Sequence, residues 1–175
     1  MTTHEVEFLL DELSDVVNAQ PDDHPLRRVD RDNSRVFETG GTLDMSTPIH
    51  KRKADLEAAN YVGVASQTTD PTPVGPNQRY ENQTACSIRL EGLTRAGGEW
   101  GHIHPGGKDG APAFSALFES VFDAVKAAMS YPDVGRPGVA YHDLTLTNVD
   151  DQASEYSDFY RAEFDVLFRG YTDTP

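Results

Sequence analysis

The stretch YRAEFDVLFRG, residues 160 to 170, constrains the fold more than any other part of the chain. Tyr160, Ala162, Phe164, Val166 and Phe168 fall on one side of an extended backbone, with Arg161, Glu163, Asp165 and Arg169 on the other. Period-two alternation over this length is the pattern of a strand with one buried and one polar face. Such a strand needs neighbours to pair with and an apolar layer to cover it.

The rest of the sequence supplies both. Residues 112 to 130 carry Phe114, Leu117, Phe118, Val121, Phe122, Val125 and Met129 at helical spacing, with Pro112 at the favoured first position, which predicts the main core helix. A second amphipathic helix is predicted over residues 3 to 18, where Val6, Leu9, Leu10, Leu13, Val16 and Val17 share a face and Thr2 with Glu5 has capping-box spacing. Three further stretches read as strands: 59 to 68, 84 to 93, where Cys86, Ile88 and Leu90 alternate with polar residues, and 141 to 149, with Leu144 and Leu146 on one face. The intervening TDPTPVGPNQRYENQ, residues 69 to 83, reads as a loop because of its three prolines and glycine.

The expectation is a single α+β domain over residues 1 to 175, a mostly antiparallel sheet of about four strands packed against two helices. Two segments do not fit that frame. Residues 22 to 53 sustain no period and read as an extended arm or long loop, and residues 94 to 111 form a glycine-rich loop. The arm mixes Arg27, Arg28, Arg31 and Arg35 with Asp30, Asp32 and Glu38, a composition suited to ion-paired contact with an acidic neighbour. Those four arginines, with Trp100 in the second loop, are the candidate subunit or partner interface.

Charge narrows the partners. Eighteen aspartates and eleven glutamates stand against eleven arginines and four lysines, a formal charge of -14. Self-repulsion on that scale weakens the compact state unless salt screens it, and the screening length falls to about 3 Å near 1 M salt. The aspartate excess with few lysines has the pattern of proteins from extreme halophiles. It argues against nucleic acid as a main partner, since no basic footprint beyond LRRVDR and HKRK is present. The beginning MTTHEVEFLLDE lacks the features of a signal peptide, and no run of 18 apolar residues occurs, so a cytoplasmic site of synthesis and no membrane partner are expected. Cys86 stands alone, which excludes an internal disulfide and predicts a small buried side chain.

The stretch EWGHIHPGGKDG, residues 99 to 110, holds the one motif with chemical promise. His102 and His104, followed by Pro105, are weak candidates for a metal site. A zinc hydrolase needs three protein ligands and an open position for water. The pattern is similar to that of JAMM-type metalloproteases, but Ser115 falls ten residues after Pro105 instead of eight, and Phe118 stands where the third ligand belongs. A cupin-like site would need more strands than this sequence supplies. No phosphate loop or nucleophile elbow is present. No catalytic residue, metal or cofactor is therefore expected.

The element order, together with the ending YRAEFDVLFRG, resembles the tail terminator (tail-completion) family of long-tailed viruses, over residues 3 to 18 and 59 to 170. The resemblance implies a small α+β subunit of a ring, a homohexamer, that closes the head-proximal end of the tail tube and meets the neck connector. The implied partners are copies of the chain itself, the tail tube protein and the neck or connector protein. The implied location is the virion, after assembly in the host cytoplasm, and the charge pattern points to a virus of haloarchaea. Alternatives are a head-completion or tail-tube subunit, or a metal-dependent hydrolase using His102 and His104.

Overall fold

The computed structural model describes residues 4–20, 22, 25–29, 45, 47–75, 79–93, 114–150 and 159–173. In chain order the elements are α1 (His4–Glu12), α2 (Ser14–Asn18), β1 (Leu26–Val29), a 3-10 turn (Ile49–Lys51), α3 (Lys53–Ala58), β2 (Asn60–Pro73), β3 (Arg79–Leu93), α4 (Phe114–Ala127), β4 (Val139–Asp150) and β5 (Phe159–Asp173). The class is α+β, as expected. Among the described residues the sheet has five strands instead of about four, in the order β1-β2-β3-β5-β4. Every pairing is antiparallel except that of β1 with β2.

The strand expected over residues 160 to 170 is β5, which lies between β3 and β4, and its alternation gives it one buried face. Ala162, Phe164, Val166 and Phe168 are buried against the helices, joined there by Ile88 and Leu90 of β3 and by Val62 and Val64 of β2. From the helical side come Leu9 and Leu13, and from α4 Phe114, Leu117, Val121 and Val125. Burying each such side chain contributes about 1.5–3 kcal/mol. Phe164 packs edge-on against both Phe118 and Phe122, at 5.9 and 5.2 Å between ring centroids. Cys86 is buried in the same layer, as its spacing predicts. The helix expected over 3 to 18 loosens at Leu13, yet Leu13 N–H donates to Leu9 O and Val17 N–H to Leu13 O, so the chain stays on one helical path.

Two expectations need correction. The proline-rich stretch 69 to 83 is mostly strand: β2 runs on to Pro73 and β3 starts at Arg79, making a long hairpin with a short tip. The prolines are tolerated because β1 pairs with residues 60 to 63 alone, which among the described residues leaves this half of β2 at the edge of the sheet. Val74 N–H donates to Arg79 O, so alternation turns the nitrogens of Pro71 and Pro73 away from β3, where no ladder bond is lost. The second correction concerns the segment 22 to 53, which is not a free arm in its described part. Leu26–Val29 forms β1, in parallel register with Asn60 to Gly63. Met45 and Ile49 are buried with Leu56, Ala59, Tyr61, Ala65, Val29 and Phe159 in a second apolar cluster on the sheet face away from α1 and α4. A strand of four residues is too short to show a period. Residues 30 to 44 and 94 to 111 lie outside the described residues.

Two glycines mark close approaches. A side chain at Gly92 would overlap Asn60 Oδ1 and the Phe114 ring, and one at Gly170 would overlap the Ala140 backbone. Gly170 sits beside the β-bulge between Tyr141 and Asp143, which turns Tyr141 as well as Leu144 toward the helices.

Candidate functional site

The two candidate arginines of β1 diverge. Arg28 turns toward the helices and donates to Leu10 O and to Asp11 Oδ1, each at 3.4 Å. Arg27 is exposed on the other face, beside Tyr61, whose hydroxyl pKa is raised by burial while the Arg27 guanidinium works against the rise. The structure therefore does not gather them into one site. Arg31, Arg35, Trp100, His102 and His104 lie outside the described residues. Among the described residues no group of three or more His, Cys, Asp or Glu is placed to hold a metal ion.

What the fold does gather is a ladder of charges on the sheet face away from α1 and α4, the face that carries α3. The tripeptides Arg89-Leu90-Glu91 and Arg161-Ala162-Glu163 pair antiparallel, which sets Arg89 opposite Glu163 and Glu91 opposite Arg161. Cross-strand pairs of opposite charge on one face stabilise a sheet. Arg161 Nε donates to Glu91 Oε1 at 3.0 Å, with Nη2 at 2.8 Å from the same oxygen. Arg89 Nε donates to Glu163 Oε1, and Arg89 Nη1 to the carbonyl of Met45 at 3.2 Å. Arg52, only 3% exposed, forms an ion pair with the fully buried Glu91 through Oε2, without hydrogen-bond alignment. Its Nε donates to Thr47 O at 3.0 Å. The ladder therefore clamps Met45 and residues 47 to 52 over the sheet and orients them.

A second polar cluster lies inside the helix-covered core. Glu5 of α1 accepts from Tyr141 Oη at 2.7 Å and from Arg136 Nη1 at 2.9 Å. The Tyr141 hydroxyl also meets Thr84 Oγ1 at 3.2 Å, and Thr84 meets Thr69 at 3.0 Å. Burial pushes the Glu5 carboxyl up, but the bonds from Tyr141, its own backbone and Arg136 outweigh it and leave the pKa below its ordinary value. Burial raises the Tyr141 hydroxyl, with Thr84 opposing and Glu5 reinforcing the rise, and the bond to Glu5 raises Arg136. Glu5 and Tyr141 are 3% and 5% exposed, so solutes do not reach them, and the cluster ties α1 to β4 and to the 131 to 138 connection. Glu5 thus faces inward to this network, and Thr2, its expected capping partner, lies outside the described residues.

Neither cluster stands out in the sequence as a site. The ladder does have a signal: two Arg-x-Glu tripeptides set each arginine against a glutamate when their strands pair antiparallel with the middle residues opposite, here Leu90 and Ala162. The Glu5 cluster joins residues 136 positions apart and has none. No helix among the described residues is long and apolar enough to cross a membrane. No protein-family model matches the sequence, and no curated protein matches it.

Proposed function

We propose that the chain is a structural virion protein of a tailed virus, a tail terminator whose copies form a ring, six in number, at the head-proximal end of the tail tube and join it to the neck connector. One observation carries the reading: a helix leads into a β2–β3 hairpin, a long helix then crosses the sheet, and two strands close it, the order that the family resemblance implies. The resulting subunit has two unlike sides, one layered with helices and one a sheet face clamped at one end by residues 45 to 59, and a ring needs two unlike surfaces that meet head to tail. On this reading the polar clusters hold the subunit rigid and perform no chemistry. Its partners are further copies, the tail tube protein and the connector, and it works without a cofactor, in the virion, after assembly in the host cytoplasm.

The test is particle mass and shape in about 1–3 M KCl, where the screening length is about 3 Å or less. Light scattering should report a closed oligomer, and negative-stain images should show rings with a central opening. A monomer at every salt concentration overturns the reading. An open stack of tube-like particles instead of single rings would assign the chain to the tail tube.

A further inference from the structure

A long stretch of sheet edge stands open on the outer side of β2. Among the described residues β1 covers only Asn60 to Gly63 of that strand, and residues 68 to 75 are all exposed. An exposed edge of this length is where a second chain adds a strand, because unpaired backbone donors and acceptors alternate along it.

The register says which groups this edge offers. Val74 N–H donates to Arg79 O at 2.9 Å, so Val74 and Arg79 form a hydrogen-bonded pair, and the two kinds of pair alternate from there. Thr72 opposite Glu81 and Asp70 opposite Gln83 therefore turn their backbone toward β3, whereas Pro73 opposite Tyr80, Pro71 opposite Asn82 and Thr69 opposite Thr84 turn theirs outward. The hydroxyls of Thr69 and Thr84 lie 3.0 Å apart, in keeping with a pair whose side chains stand close. Both prolines thus fall at outward positions, and of the three outward residues only Thr69 has an N–H. A strand laid against this edge would find carbonyls at 69, 71 and 73. At two of those places it would meet a pyrrolidine ring where a donor should stand. Its own carbonyls there would be desolvated without a partner, which costs more than the remaining bonds return.

Charge is the other common guard of an edge, and here it is thin. Asp70 is the one charged residue between Thr68 and Val74, and repulsion between chains of charge -14 fades as the screening length falls to about 3 Å near 1 M salt. A ring without an N–H blocks pairing at every salt concentration. The opposite edge has its own block. Tyr131 N–H donates to His142 O and Leu144 N–H to Met129 O, so the segment after α4 occupies that part of β4. Further along, a bulge between Thr147 and Asp150, with Asn148 at φ +51° and bonded to Asp165 Oδ2 at 2.7 Å, bends the strand out of register.

We propose that Pro71 and Pro73 close the outer edge of β2 to strand addition, and that they are what keeps copies of this chain from joining sheet to sheet there. The inference goes beyond the ring reading and does not rest on it. Where rings form, the closed edge confines their contacts to other surfaces.

The test restores the two missing donors with Pro71→Thr and Pro73→Thr together, changes that put a strand-forming residue at an exposed position and remove no ladder bond. Each restored N–H that finds a carbonyl is worth about a 2- to 12-fold gain in association, so pairing two such edges should raise self-association at least about tenfold. Sedimentation velocity compares the variant with the unaltered chain at about 0.1 M and about 3 M KCl, and the difference should be larger at high salt, where repulsion is screened. Hydrogen exchange then locates the contact: the amides at positions 71 and 73 should become protected as protein concentration rises. Circular dichroism melts check folding, and if the double variant does not fold, Pro71→Thr and Pro73→Thr alone carry the same two measurements. A variant whose particle size matches that of the unaltered chain at both salt concentrations overturns the proposal. So does association that leaves both amides unprotected, since the contact then lies elsewhere. The ring reading is judged separately, by the particle mass of the unaltered chain.

Discussion

Replacing Glu91 with alanine should unfold this protein far more readily than any surface change, because of what it leaves behind. Glu91 is fully buried between Arg52, 3% exposed, and Arg161, whose side chain is 32% exposed. Without the carboxylate Arg161 can swing to water, but Arg52 is held under residues 45 to 59 by its bond to Thr47 and cannot. A buried charge stripped of its partner costs about 3–5 kcal/mol. For a chain of this size each kcal/mol moves the midpoint by about 2–4 °C, so the expected drop is about 6–20 °C. The assay is urea unfolding at fixed high salt, since guanidinium would itself change the screening. The double variant Glu91→Leu with Arg52→Met replaces the pair by apolar groups and should recover most of the loss, because isolated burial of charge and not lost attraction sets the cost. A loss under about 1 kcal/mol for Glu91→Ala, the scale of an ordinary substitution, would refute the reasoning. So would a double variant as unstable as the single one.

Three further outcomes are expected. If the -14 charge is an adaptation to salt, the melting temperature should climb steadily from about 0.1 M to about 3 M KCl, and a flat profile would sink that idea. The folded pKa of Glu5 lies below its unfolded value of 4.5, so its contribution is fully present above pH 4.5 and is lost as pH falls through the folded pKa; Glu5→Gln should flatten the acid limb of stability against pH, and an unchanged limb would contradict the bonds to Tyr141 and Arg136. Alanine at both His102 and His104 should leave assembly intact, whereas stoichiometric zinc bound through them, lost together with a hydrolytic activity, would establish the hydrolase alternative.

Local pattern determined much of the architecture. The period-two run of 160 to 170 and the helical stripe beginning at Phe114 each bury the side that their spacing marks, because a strand or helix half in water must put its apolar residues on one face. The same logic found α1 with α2, Cys86 and the inward side of β3. It missed the hairpin extension through Pro71 and Pro73, since whether proline breaks a strand depends on which side of the sheet its nitrogen faces, and that is decided by the neighbouring strand. It missed β1 and the second apolar cluster because Leu26, Val29, Met45, Ile49 and Leu56 are too scattered to show a period, and only the surface of the finished sheet collects them. The same holds for the polar clusters. Arg52, Glu91 and Arg161, or Glu5, Arg136 and Tyr141, become neighbours only when distant segments pack, and the environment that makes each charge costly to leave alone is supplied by that packing and by nothing local in the chain.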